Sequence, residues 1–138
     1  MKSGFFMFAV AVVLTLPAMD SGAGAGGAGT AGGIYSEAQA ERGQALYEEH
    51  CVMCHGERLT GGHGVPALKG PEFRFLWAGR SLKELFEAIA TKMPPGQAGT
   101  LTEQEYIDVI AASLRANGFP TGAVELSAGA LADIPIEW

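Results

Sequence analysis

The alternation of apolar and polar residues predicts three helices between residues 36 and 117. Each predicted helix opens with a serine or threonine that has glutamate or glutamine three residues later, which is the pattern of a capping box. Proline and glycine residues behind the second and third helices favour their termination there. The predicted spans run from Ser36 to about His50, from Ser81 to the residues before Pro94, and from Thr102 to about Asn117.

Apolar residues at helical spacing form one stripe along each of the last two predicted helices. The first stripe consists of Leu82, Leu85, Phe86 and Ile89, and the second of Tyr106, Ile107, Ile110, Ala111 and Leu114. Gly43 lies inside the first predicted helix, where glycine costs about 1 kcal/mol relative to alanine. We therefore expect another helix to approach closely at Gly43, with Tyr47 one turn further along the same side.

The segment between the first two predicted helices, residues 56–80, is rich in glycine and proline and shows neither a helical nor a strand period. The sequence as a whole has no internal repeat. It also lacks the alternation of apolar and polar residues that is typical of β-strands. These patterns predict an all-α fold with long loops.

The two ends of the chain differ in composition from its middle. The apolar run FFMFAVAVVLTL after Lys2 predicts a secretory signal peptide over residues 1–23, cleaved after Ala18 or Ala23. A membrane-spanning helix needs about 20 apolar residues, so an uncleaved anchor is the less favoured alternative. Residues 24–33 are predicted to be a Gly/Ala-rich linker outside the fold, followed by a domain over 34–120 and a C-terminal extension over 121–138.

The stretch CVMCH places Cys51, Cys54 and His55 within five residues. A redox-active dithiol usually belongs to a βαβ unit, which the sequence lacks, and a zinc site would need all three plus a fourth ligand such as His63. Covalent haem attachment requires this C-x-x-C-H order, because the two thiols bond to the haem and the imidazole lies under its iron. The adjacent histidine favours one haem c, bound through both cysteines.

A second axial ligand can be sought among the methionines. Three of the five lie in the predicted leader, and Met53 is confined between the two cysteines. Met93 remains, in a loop stiffened by two following prolines. His63, His50 and an open coordination position are the alternatives. An open position would indicate a gas-binding or peroxidatic haem protein rather than an electron carrier.

Taken together, these motifs resemble those of class I mono-haem cytochromes c over Ser36 to Asn117. The resemblance implies a class I cytochrome c fold, with three to four short helices and long loops around one haem. It implies that the first and last helices cross near Gly43 and Tyr47. It also implies that Pro66 offers its carbonyl oxygen to the free ring nitrogen of His55, which would fix the tautomer of that ligand.

Apolar and donor side chains between the two motifs are candidates for the haem pocket. Trp77 and Arg80 are donors suited to a haem propionate, although the family pattern does not fix either position. The expected lining residues are Leu68, Phe75, Trp77, Phe86 and Ile89.

An iron with both axial positions filled can change oxidation state but has no position for a substrate, so we expect a one-electron carrier and not an enzyme. The export signal predicts a periplasmic location. The net charge of −6 argues against nucleic-acid binding and mildly favours a basic redox partner.

The expected partners are a dehydrogenase or an oxidase, and the sequence after Met93 is similar to small cytochromes that accompany quinoprotein alcohol dehydrogenases. A monomer is expected, with membrane contact only if the leader stays uncleaved. The apolar residues of 121–138 are expected to fold back on the domain rather than to dock on a partner.

Overall fold

Five α-helices follow one another without an intervening strand ladder in residues 29–138, the part of the chain that the computed structural model describes. The expected all-α class is confirmed. The predicted signal peptide lies outside the described residues, and none of the described helices is long and apolar enough to cross a membrane. The helices are α1 Glu37–His50, α2 Val52–His55, α3 Gly70–Trp77, α4 Leu82–Lys92 and α5 Glu103–Ala116, with 3₁₀-helices at Thr30–Gly32 and Ala128–Asp133.

Reciprocal capping boxes open α4 and α5, as the sequence predicts. At α4, the Ser81 hydroxyl accepts the Glu84 amide at 3.2 Å and the Glu84 carboxylate accepts the Ser81 amide at 2.9 Å. At α5, Thr102 and Glu105 make the same pair at 3.3 and 2.7 Å. Accepting these backbone bonds lowers the pKa of both glutamates.

The capping box expected at α1 is only half formed. The Ser36 hydroxyl accepts the Gln39 amide at 3.1 Å, but the Gln39 side chain does not return to the cap. It is fully buried and bonds instead to both backbone groups of Leu126, at 2.8 and 2.9 Å, and to the Asp108 carboxylate at 3.1 Å. The Gln39 side chain therefore satisfies buried polar groups of the C-terminal tail, and the return hydrogen bond of the capping box is not formed.

Helices α1 and α5 cross at Gly43. A Cβ atom at this position would overlap the backbone carbonyl of Asp108, so the two backbones touch. The face of α5 from Tyr106 to Leu114 is buried against this crossing and the rest of the core. The expected close approach at Gly43 is confirmed.

The expectation of a long loop over residues 56–80 is wrong at α3. This helix begins at Gly70-Pro71, where proline is pre-organised for the first helical turn. It has only eight residues, and Phe73 is the only one of them that is buried. The sequence therefore shows no helical spacing of apolar residues here.

The C-terminal tail folds back and closes the domain on one side, as expected. Its residues 134–136 form three backbone hydrogen bonds of 2.8–2.9 Å with the turn between α3 and α4, residues 79–82. Trp138 packs against Phe119 in a tilted arrangement, with ring centroids 4.8 Å apart, and meets Phe73 edge-on. The tail contributes Leu126, Leu131 and Ile136 to the common hydrophobic core.

Residues 29–33 differ from the linker expected for them, because they pack against the tail. The Thr30 side chain is fully buried, and its hydroxyl both donates to the Glu137 carbonyl and accepts the Glu137 amide, each at 2.9 Å. Small side chains here permit close backbone packing, and a Cβ atom on Gly122 would overlap the Gly33 carbonyl oxygen. The small residues of segment 29–33 therefore allow close packing against the tail, and the segment is not a free linker.

Candidate functional site

A cavity of about 590 Å³ lies among α2, α3, α4 and α5. This volume is within the range of about 300–1,000 Å³ that is typical of ligand pockets. Eight residues that the sequence selected for the site line it, and they are separated along the chain. They are Cys51, Cys54, His55, Pro66, Leu68, Trp77, Arg80 and Met93.

The short helix α2 presents the first group of these residues. The Cys51 carbonyl accepts the amides of Cys54 and His55 at 3.1 and 3.0 Å, which places the three side chains on one helical turn. The His55 ring is 6% exposed, and its Nδ1 lies 3.0 Å from the Pro66 carbonyl oxygen. Because a carbonyl only accepts, Nδ1 carries the proton and Nε2 keeps its lone pair available for a metal.

Two features of the structure disfavour the roles that compete with haem attachment. Burial, with a smaller contribution from the Cys54 thiol, raises the pKa of Cys51 to about 11, whereas a redox-active dithiol needs a lowered pKa. Within residues 29–138, no three histidine, cysteine or acidic side chains are grouped to hold a metal ion. His63 is exposed and does not line the cavity, so the zinc alternative lacks its fourth ligand.

Met93 reaches the same cavity from the end of α4, where it is the C-cap residue. Its carbonyl accepts the Tyr106 hydroxyl at 3.0 Å, and the two following prolines also line the cavity. His50, one of the alternative ligands, lies at the cavity wall with 28% of its side chain exposed.

Cationic and aromatic groups meet on the α3–α4 side. The Arg80 guanidinium lies over the Trp77 ring, 4.7 Å from its centroid, and forms an ion pair with Glu84 at 2.9 Å. Both Arg80 and Trp77 line the cavity, so two hydrogen-bond donors are available to an anionic group at its edge.

Two of the expected lining residues are placed wrongly by the sequence argument. Phe75 is 87% exposed, because α3 turns Phe73 inward and Phe75 lies on the opposite side of the helix. Phe86 does not line the cavity and packs edge-on against Tyr106. Four further lining residues were not expected from the sequence, namely Phe73, Leu85, Val109 and Ser113. For Leu85, the apolar stripe of α4 was an available signal.

This set of donors fits haem c. Two thiols at C-x-x-C spacing, an imidazole with a free Nε2 and a thioether all face one pocket that otherwise has mainly apolar walls. A metal ion alone would leave most of the cavity unfilled, whereas a flat apolar ring with anionic substituents matches both the walls and the Trp77–Arg80 edge.

The comparison with known protein families agrees with this geometry. The family model described as cytochrome c oxidase, cbb3-type, subunit III matches residues 38–111, more than half of the chain. The chain belongs to this family. With a single C-x-x-C-H motif, it is a mono-haem c-type cytochrome. The matched region contains both the C-x-x-C-H motif and Met93, and the family implies haem c and electron transfer.

A curated relative also resembles the cytochrome. The thiosulfate dehydrogenase of Thiomonas intermedia (strain K12) is 39% identical over 75 residues, which cover 49% of the chain and 24% of the relative. The cytochrome thus matches about a quarter of that larger protein. No solved structure matches the chain significantly.

Proposed function

We propose that this cytochrome is a periplasmic one-electron carrier that holds one haem c through thioether bonds to Cys51 and Cys54, with His55 and Met93 as the axial ligands. The observation that carries the proposal is the convergence of these four side chains on one cavity. They come from α2 and from the end of α4, about 40 residues later in the chain.

Haem, when bound, supplies a one-electron iron couple. Each cysteine thiol would add its S–H across one vinyl group, so that sulfur forms the new C–S bond and the hydrogen goes to the neighbouring carbon. This addition is redox-neutral and needs no external oxidant. The pair of thioether bonds would hold the prosthetic group at the end of α1, where α2 already presents both sulfurs.

The remaining residues orient the ligands and exclude water. The hydrogen bond from His55 Nδ1 to the Pro66 carbonyl fixes the tautomer and increases the basicity of Nε2. Met93 supplies a thioether, which favours the reduced metal and raises the potential. If His55 and Met93 both bind the iron, no ligand position would remain for a substrate, and the group would serve a carrier rather than an enzyme.

Access for a partner is proposed at the mouth of the cavity beside the cysteines. Cys54 is exposed there and Met53 is 94% exposed, so the site is open to solvent at this edge. The net charge of −6 favours a partner with a basic docking surface.

We propose a dehydrogenase as donor and a terminal oxidase or similar respiratory protein as acceptor. The names of the matching family and relative, an oxidase subunit and a thiosulfate dehydrogenase, support this class of partners. A quinoprotein alcohol dehydrogenase remains a candidate donor on the sequence similarity alone. The proposed periplasmic location follows from the leader sequence and the C-x-x-C-H motif.

Carbon monoxide binding tests the ligation directly. The full chain is co-expressed with a haem-maturation system, and spectra of the reduced protein are recorded with and without carbon monoxide. Met93→Ala should bind the gas readily, whereas the wild type and Met53→Ala, a control that removes the exposed methionine, should resist it. A wild type that binds carbon monoxide as readily as Met93→Ala would replace the carrier by an open-site haem protein with gas-binding or peroxidatic chemistry.

A further inference from the structure

The loop after Met93 has few attachments to the rest of the domain. Its internal hydrogen bonds join Gln97 to Pro94 and Thr100 to Gln97. Among residues 29–138, the only hydrogen bond from segment 94–100 to another part of the chain is from the Gly99 amide to the Tyr106 hydroxyl, at 2.9 Å. Most of the segment is exposed, so apolar burial contributes little to its position.

The same hydroxyl also holds the beginning of this loop, because Tyr106 donates to the Met93 carbonyl at 3.0 Å. One oxygen atom therefore joins both ends of segment 93–99 to α5. The ring that carries it is only 2% exposed and packs edge-on against Phe86 of α4, with centroids 6.2 Å apart. The hydroxyl position is consequently set by the core and not by the loop.

We infer that Tyr106 is a positioning residue for Met93, and that its hydroxyl keeps the loop in the conformation that presents the thioether to the cavity. The inference rests on the proposed ligation by Met93. A thioether is a weak ligand, so its occupancy depends on how little conformational freedom the loop loses on binding. Releasing both ends of the loop returns that freedom and shifts the equilibrium toward the unligated form.

Tyr106→Phe removes the hydroxyl and keeps the ring. The loss of two hydrogen bonds, each with a net contribution of about 1 kcal/mol, corresponds to an increase of roughly thirtyfold in the population with Met93 detached. Tyr35→Phe is the matched control, because Tyr35 is also buried and its hydroxyl donates to a backbone carbonyl, that of Phe119, at 2.5 Å and away from the cavity.

The test uses haem-loaded full-length protein and two readouts. The first is the rate of carbon monoxide binding to the reduced protein, which reports detachment of Met93. The second is amide hydrogen exchange at Gly99, which reports the loop without reference to the haem. Tyr106→Phe should raise both about tenfold or more over wild type, and Tyr35→Phe should leave both near the wild-type values.

The possible failures are distinguishable. If the wild type is methionine-ligated and Tyr106→Phe binds carbon monoxide no faster than the wild type, the inference is overturned and the proposed function stands. Faster hydrogen exchange at Gly99 would not change that conclusion. Equal acceleration in Tyr106→Phe and Tyr35→Phe would assign the effect to general destabilisation and would also overturn the inference. A wild type that already binds carbon monoxide rapidly would overturn the ligation by Met93, and the inference with it.

Discussion

The crossing of α1 and α5 at Gly43 predicts that one added methyl group destabilises the protein. In an exposed helix, replacing glycine by alanine would stabilise the fold by about 1 kcal/mol. At Gly43 the new Cβ would overlap the Asp108 carbonyl, far inside the ~3.5 Å at which carbon contacts become favourable. Neither partner is a flexible side chain, so the two helices must move apart.

The magnitude follows from these opposing effects. Overpacking of a well-packed core costs about 1–3 kcal/mol, and a clash between two backbones belongs at the upper end of that range. Subtracting the gain in helix propensity leaves a net loss of about 2 kcal/mol in the free energy of unfolding. For a domain of this size, the thermal midpoint should fall by roughly 8–16 °C.

Thermal and urea unfolding of haem-loaded Gly43→Ala, followed by circular dichroism, measure this loss. Gly129→Ala is the control, because a Cβ there meets nothing within 4 Å, and its stability should change by no more than about 0.5 kcal/mol. A Gly43→Ala protein as stable as wild type would refute the crossing geometry.

Two further predictions concern the α3 helix and the helix caps. Phe73→Ala should lower the free energy of unfolding, measured in urea, by about 3–5 kcal/mol. Phe75→Ala, at a position that is 87% exposed, should change it by less than about 0.5 kcal/mol. The reverse order would mean that α3 presents its other face to the core. The cap bonds lower the pKa of Glu84 and Glu105 below the ordinary value of 4.5. The two carboxylates therefore contribute their full stabilisation above pH 4.5, and this contribution is lost as the pH falls through the folded-state pKa. Urea titrations from pH 3 to 7 should therefore show a shallower acid-side decline in the double variant Glu84→Gln, Glu105→Gln than in wild type, and an unchanged decline would exclude this contribution.

Features encoded by neighbouring residues were predictable from the sequence. The caps at Ser81 and Thr102, the stop before Pro94 and the C-x-x-C-H motif each depend on spacings of a few residues. Their geometry is determined locally, and the structure contains all of them. The assignment of Met93 to the same cavity rested on elimination among five methionines, a small enough set for that reasoning.

Features that depend on tertiary partners were not predictable in the same way. Gln39 fits a capping box in sequence, but its side-chain amide forms hydrogen bonds with the buried backbone of Leu126 instead of with the helix cap. Phe73 and Phe75 are equally apolar, and only the placement of α3 decides which one is buried. The Tyr106 hydroxyl has no sequence signal for its role, because its two partners lie in a loop that is seven or more residues away.

We propose that one haem, ligated by His55 and Met93, carries one electron per chain. Spectroelectrochemical titration of the purified haem-loaded protein tests it most directly, with Met93→Ala and Met53→Ala titrated beside the wild type. We expect a single reversible one-electron transition, a lower midpoint potential in Met93→Ala because the thioether is lost, and an unchanged potential in Met53→Ala. A wild-type potential equal to that of Met93→Ala would contradict ligation by Met93.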